Sequence, residues 1–137
     1  MTSFSISTSG MQAGFKRLDA AAANVANALT TGPVPATPPG QPVQGTGRSV
    51  YQAVDVVQRE TEGGGAEASF RPRLPAYRLD YAPSSADADA GGFVAGPNVD
   101  LAQEAVGLVE ARLMVRANVA TFKVYDQMLK SLLDLEA

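Results

Sequence analysis

Residues 97–137 read PNVDLAQEAVGLVEARLMVRANVATFKVYDQMLKSLLDLEA, with no proline after Pro97 and a single glycine, Gly107. Leu101, Leu108, Val115, Phe122 and Leu129 fall seven apart, and Ala111, Asn118, Tyr125 and Leu132 take the companion positions. Heptad spacing of this kind predicts one long helix with a seam for a partner helix. Asn98 or Asp100 can cap its start, because either side-chain oxygen can accept a free first-turn N–H. Asp100 and Glu104 suit the positive end of the helix dipole, and Lys130 suits the negative end.

Length adds a second inference. At about 1.5 Å per residue, a helix over residues 99–135 spans roughly 55 Å. A compact globule of this chain length has a radius of gyration of about 14 Å, so a straight helix would project from it. Val106 and Leu113 face nearly opposite the Leu108/Val115 stripe, and Val109, Met114 and Met128 fill the positions between. A helix that is apolar most of the way round is usually surrounded. One short chain can hardly do this alone, which points to neighbouring molecules.

A second heptad stretch lies at the other end of the chain. In residues 3–30, Phe4, Met11, Phe15, Leu18, Ala22, Val25 and Leu29 are spaced seven, four, three, four, three and four. Gly10 and Gly14 weaken its first half, each by up to about 1 kcal/mol relative to alanine, so the first ten residues are expected to fray in isolation. The alanines at 20–23 allow close approach of a partner helix. Asn24 and Asn27 sit one turn apart near the end. The helix is expected to stop at residues 30–33, with Gly32 as a left-handed cap and Pro33 unable to continue. Asn118 on the seam could fix register, as a buried asparagine does in some coiled coils, or could bond a local backbone group.

The segment between the helices has a different composition. Residues 32–47 hold five of the nine prolines and four glycines, which reads as an extended, partly polyproline linker or an irregular loop. Residues 48–58, with Val50, Gln52, Val54 and Val56 alternating, read as a strand. Residues 59–67 read as a flexible turn. Residues 68–81 read as a broken strand or two short ones, confined to an edge by Pro72 and Pro75. Residues 82–97 read as a loop leading into the long helix. The fold class is therefore mainly α with a small β segment: long N- and C-terminal helices pairing as an antiparallel coiled coil, with a short β hairpin or edge strands between them. The expected division is 1–32, 33–97 and 98–137.

Composition excludes much chemistry. The chain contains no cysteine and no histidine, so disulfides, Cys/His zinc sites, thiol nucleophiles and histidine acid–base catalysis are absent. A net charge of −3 without a basic stripe gives no footprint for nucleic acid. The N-terminus lacks the pattern of a cleaved secretory signal, and no apolar run approaches membrane-spanning length. Nucleotide-binding and hydrolase motifs are missing. Asp87 and Asp89 beside Gly91 and Gly92 faintly suggest a calcium loop, but the oxygen-ligand positions 5 and 9 fall on Gly91 and Ala95, and the position that needs Glu falls on Asn98. Arg71, Arg73 and Arg78 read as a solvated or ion-paired strand face rather than an anion site. No catalytic, cofactor or metal site is assigned, and no small-molecule substrate.

Three stretches carry a resemblance. Residues 22–32, AANVANALTTG, look like an A-x-N-[IV]-A-N-A-x-T-T-G motif. Residues 81–100, YAPSSADADAGGFVAGPNVD, are similar to a Y-D-P-x-H-P-D-A-D-x-x-G-Y-V-x-x-P-N-V-D pattern, with Ala82, Ser85 and Ala86 departing from it. Arg116-Ala-Asn-Val119 and Met128-Leu-Lys130 look like a Y-x-A-N-x-x…M-x-x-K-x-L ending, with Arg116 in place of the aromatic residue. Together they resemble the flagellar basal-body rod proteins of bacteria, of the proximal-rod C type. The resemblance implies a non-enzymatic subunit, exported through the flagellar type III channel, whose terminal helices pack into a tube. It implies as partners other copies of the chain, other rod proteins and MS-ring or export-gate components. The residues expected at the assembly interface are Phe4, Met11, Phe15, Leu18, Asn24, Asn27, Leu101, Leu108, Val115, Asn118, Phe122, Tyr125, Leu129 and Leu132.

Overall fold

The computed structural model describes residues 3–44 and 48–136; the two ends of the chain and residues 45–47 of the Pro-rich stretch lie outside the described residues. Two helices and four strands follow in the order α1 (Ser3–Asn27), β1 (Val54–Glu60), β2 (Ala66–Pro72), β3 (Tyr77–Tyr81), β4 (Phe93–Pro97) and α2 (Leu101–Glu136). The architecture is mainly helical with a small β segment, as the sequence pattern predicts. α1 lies between α2 and the β1–β2 hairpin.

The helices run antiparallel. Phe4 near the start of α1 stacks on Phe122 of α2 at 4.6 Å, and Asn24 near its end meets Glu104 at 3.1 Å. Between these points the approach is set by glycine. A Cβ added at Gly14 would lie 2.6 Å from Val115 Cγ2 and 3.4 Å from the Ala111 carbonyl, and one at Gly10 would lie 2.5 Å from Asn118 Oδ1. The glycines that look like helix breakers in the sequence therefore stand where α2 leaves no room for a side chain.

This corrects the expected seam of α1. The buried positions are Ser7, Ala13, Gly14, Ala20, Ala21, Asn24 and Ala28. Ser7, Gly14, Ala21 and Ala28 recur every seven residues, and Ala13 and Ala20 serve the β-hairpin side. The large stripe faces outward: Phe15 is 53% exposed, Leu29 is 88% exposed, and Phe4 and Val25 are exposed as well. Met11 and Leu18 are half-buried, and Ala22 is exposed. A row of small side chains wins the inner face because it lets two backbones come together and leaves no gap to fill.

α2 starts as expected, but with one cap rather than either of two. Asp100 Oδ1 accepts from the N–H groups of Ala102 (2.9 Å) and Gln103 (3.2 Å), while Asn98 donates to the Pro75 carbonyl. α1 ends at Asn27, three residues before the expected stop. Gly32 does not take the left-handed cap; instead it bridges to Ala95, and a Cβ there would sit 2.8 Å from the Val50 nitrogen. Close backbone contact, not conformation, demands glycine at this position.

Each pair of strands forms its own antiparallel hairpin. Val54 pairs with Pro72 and Glu60 with Ala66; Tyr77 pairs with Pro97 and Tyr81 with Phe93. The first hairpin turns on Gly63, Gly64 and Gly65, with φ of 89°, 89° and 106°, values that only glycine adopts without strain. Its tip touches α1, where the Ala66 N–H donates to Ser9 Oγ. The strand expected over residues 48–58 begins only at Val54. Val50, expected on one face with Val54 and Val56, belongs instead to a cluster with Ala76, Tyr77 and Ala95 that Val34 and Val43 cover. The Pro-rich stretch therefore packs as an irregular cover, tied by Ala76 N–H to the Pro39 carbonyl and by the Tyr77 hydroxyl to the Thr37 carbonyl. The expected loop over residues 82–97 contains β4, whose Val94, Ala95 and Pro97 are buried.

Candidate assembly interface

Two surfaces stand out: a buried polar joint and a broad apolar exterior. The joint forms where α1, α2, β1 and the connector before β3 converge. Asn24 is fully buried (0% exposed) and Glu104 is 5% exposed. The Asn24 amide pairs with the Val54 peptide as a strand would: its Nδ2 donates to the Val54 carbonyl at 2.9 Å, and its Oδ1 accepts from the Val54 N–H at 3.0 Å. The second Nδ2 hydrogen goes to Glu104 Oε1, and Oδ1 also accepts from the Tyr51 hydroxyl. Arg73 then bridges two carboxylates, Asp55 and Glu104, each at 2.8 Å.

The charges hold one another in place. Burial alone pushes the Arg73 guanidinium down, but the hydrogen bonds and charges of Asp55 and Glu104 outweigh it, so its pKa is raised and the cation is secured. Burial pushes the Tyr51 phenol up, the Glu104 charge adds to this, and Arg73 opposes it. An open cleft of about 480 Å³ borders the joint, lined by Arg17, Asp55, Arg73, Gln103 and Glu110 among others. It holds no arrangement of nucleophile and base.

The exterior is apolar on both helices. α2 has 36 residues and α1 has 25, and Phe4 meets Phe122. Residues 123–136 therefore extend about 20 Å past the α1 contact. Val124, Met128, Leu129, Leu132, Leu133 and Leu135 are exposed along this overhang. Leu101, Val106, Val109 and Leu113 are exposed at the opposite end of α2. Large apolar side chains are thus exposed at both ends of α2.

The expected interface residues thus divide. Asn24 enters the joint. Leu108, Val115, Asn118, Phe122 and Tyr125 are half-buried along the row of α2 that faces α1. Asn118 bonds its own helix at the Met114 carbonyl, and Asn27 bonds the Ala23 carbonyl. Phe4, Phe15, Leu101, Leu129 and Leu132 face outward, and Met11 and Leu18 lie between. The arginines separate too: Arg73 enters the joint and Arg78 pairs with Asp80, while Arg71 sits exposed on β2. Asp87 pairs with Arg48, and Asp89 accepts from the N–H groups of Gly91 and Phe93. Sequence reasoning missed Glu104, Arg73, Asp55 and Tyr51 as a unit. The available signal was Glu104 itself, an acid on the same heptad row as Ala111 and Asn118.

Long antiparallel terminal helices with bulky outer faces, joined by a small β segment, define an axial-type structural subunit. Residues 4–33 match the family model described as flagella basal body rod protein, and residues 90–135 match flagellar basal body rod FlgEFG protein C-terminal. The chain belongs to the flagellar basal-body rod protein family. It is 37% identical over 131 residues to the flagellar basal-body rod protein FlgC of Salmonella typhimurium LT2, covering 94% of this chain and 92% of that protein. The proteins of the same name from Escherichia coli O157:H7 and Yersinia enterocolitica are each 35% identical over the same shares.

Proposed function

We propose that the chain is a structural subunit of the bacterial flagellar basal-body rod, built into the axial drive shaft through the outer faces of its two helices. The observation that carries this is the outer face of the helix pair: α1 turns Ser7, Gly14 and Ala21 inward and leaves Phe15 and Val25 exposed, and α2 exposes Val106, Val109, Leu113, Met128 and Leu132. Apolar surface at both ends of α2 suits head-to-tail contact between copies, which extends into a helical filament instead of closing. Other rod proteins with the same terminal helices, and MS-ring or export-gate components at the base, are the further partners proposed. Transmission of torque, not turnover, is the role ascribed to it, with export through the flagellar type III system and no catalytic group.

Complementation of a deletion strain tests this. Leu132→Asp and Met128→Asp on the overhang should abolish swimming while the purified chain keeps its helical circular dichroism. Swimming at the normal rate with both substitutions would refute assembly through this face. Sedimentation adds a second check: species should grow in size with concentration, whereas a closed dimer or stable monomer of fixed size would favour a self-contained adaptor.

A further inference from the structure

We propose that the Asn24 joint is a four-way interlock: it couples the order of the β1–β2 hairpin to the pairing of α1 with α2, so that hairpin and helix pair are held or lost together. Each partner comes from a different piece of chain. α1 supplies Asn24, α2 supplies Glu104, β1 supplies Asp55 and the Val54 peptide, and the connector after β2 supplies Arg73.

Only the Arg73–Asp55 pair is complete without a helix; every other contact needs two or more of the pieces. Without α1, the Val54 N–H and carbonyl both lose their amide partner, and Glu104 loses a donor. Without α2, Arg73 loses one of its two carboxylates and keeps Asp55 and the Asn98 carbonyl, and one Asn24 hydrogen is left buried. Without Arg73, Glu104 is a buried carboxylate with no counter-charge. Removing one member of a buried, hydrogen-bonded charge group is strongly unfavourable, although replacing the whole group by apolar residues is often neutral. The group therefore contributes little net stability but penalises every partial arrangement. It acts on cooperativity. Val99, Ala28 and Ala53 pack together beside it, with Tyr51 against them, so apolar and polar contacts demand the same docking. The interlock is a property of the single chain and holds whatever the helices assemble with.

Hydrogen exchange of the full chain in rising urea reads this directly, on peptides from α1, from the β1–β2 hairpin and from the first half of α2. The native sequence should show one midpoint for all three. The triple variant Asn24→Leu/Arg73→Met/Glu104→Leu should separate them, with hairpin protection falling at least tenfold relative to the helices. One shared midpoint in the triple variant, or separate midpoints in the native chain, would overturn the proposal. Asn24→Asp, which keeps the side-chain shape but sets a carboxylate against Glu104, provides a check that survives misfolding of the triple variant. At neutral pH it should lower protection in all three segments by the same factor; a loss confined to the neighbours of Val54 would count against the interlock.

Discussion

Gly10 and Gly14 offer a paired experiment in which local and tertiary effects oppose each other. Both lie inside α1, one turn apart, so replacing either by alanine should give the same intrinsic helix gain of about 1 kcal/mol. Their surroundings differ. At Gly10 the new methyl meets the Asn118 amide, with Oδ1 at 2.5 Å and Cγ and Nδ2 at 2.8 Å, a group that can turn aside by giving up its bond to the Met114 carbonyl. At Gly14 it meets Val115 Cγ2 at 2.6 Å, with the Ala111 carbonyl at 3.4 Å behind it. Valine is stiff at χ1, so the helices themselves must separate, and overpacking of this kind costs about 1–3 kcal/mol. Gly10→Ala should therefore leave stability nearly unchanged, the helix gain offsetting the lost Asn118 bond of about 1 kcal/mol, and Gly14→Ala should lower it by up to about 2 kcal/mol after the helix gain is subtracted. Urea unfolding followed by circular dichroism at one protein concentration measures both. Equal stabilisation by the two substitutions would refute the close approach of α1 to α2.

Other outcomes follow from the same geometry. Asp100→Ala removes the acceptor for two first-turn N–H groups and should cost about 1 kcal/mol, measured as a lower urea midpoint. Lys130→Ala breaks an exposed pair with Asp126 and should change stability by under about 0.5 kcal/mol, with swimming unaffected. The folded-state pKa of Tyr51 is raised above its ordinary value of 10.0. Its contribution is complete below that value and is lost as pH rises from there toward the folded pKa, because the unfolded chain gives up the proton first. Tyr51→Phe should therefore be less stable than the native chain at pH 8 through loss of the Asn24 hydrogen bond, and the difference should shrink above about pH 10. A gap that stays constant between pH 8 and 11 would contradict this.

The two-helix plan was legible because heptad spacing survives in both terminal stretches, and the exclusion of cysteine and histidine chemistry needs only composition. The facing of α1 was not. Periodicity marks every seventh residue equally, and the row Ser7, Gly14, Ala21, Ala28 has the same period as Phe4, Met11, Leu18, Val25. Hydrophobicity favours the second row for the inside; the geometry of backbone approach favours the first. Asn24 could be singled out from its motif, but its partner peptide at Val54 is thirty positions away, and no local pattern encodes that pairing. β4 escaped notice because Phe93–Pro97 contains a glycine and a proline. It is held by Tyr77–Tyr81 on one side and by the bridge to Gly32 on the other.

The small inner row of α1 has a geometric corollary. Helices held apart by leucines sit near the upper end of the usual 8–10 Å spacing, whereas glycine and alanine contacts bring axes toward the lower end. Apolar side chains that the small inner row of α1 keeps out of the pair lie on its outer face, so more of the chain's apolar surface is left for contact between molecules than in a pair packed on leucines from both sides.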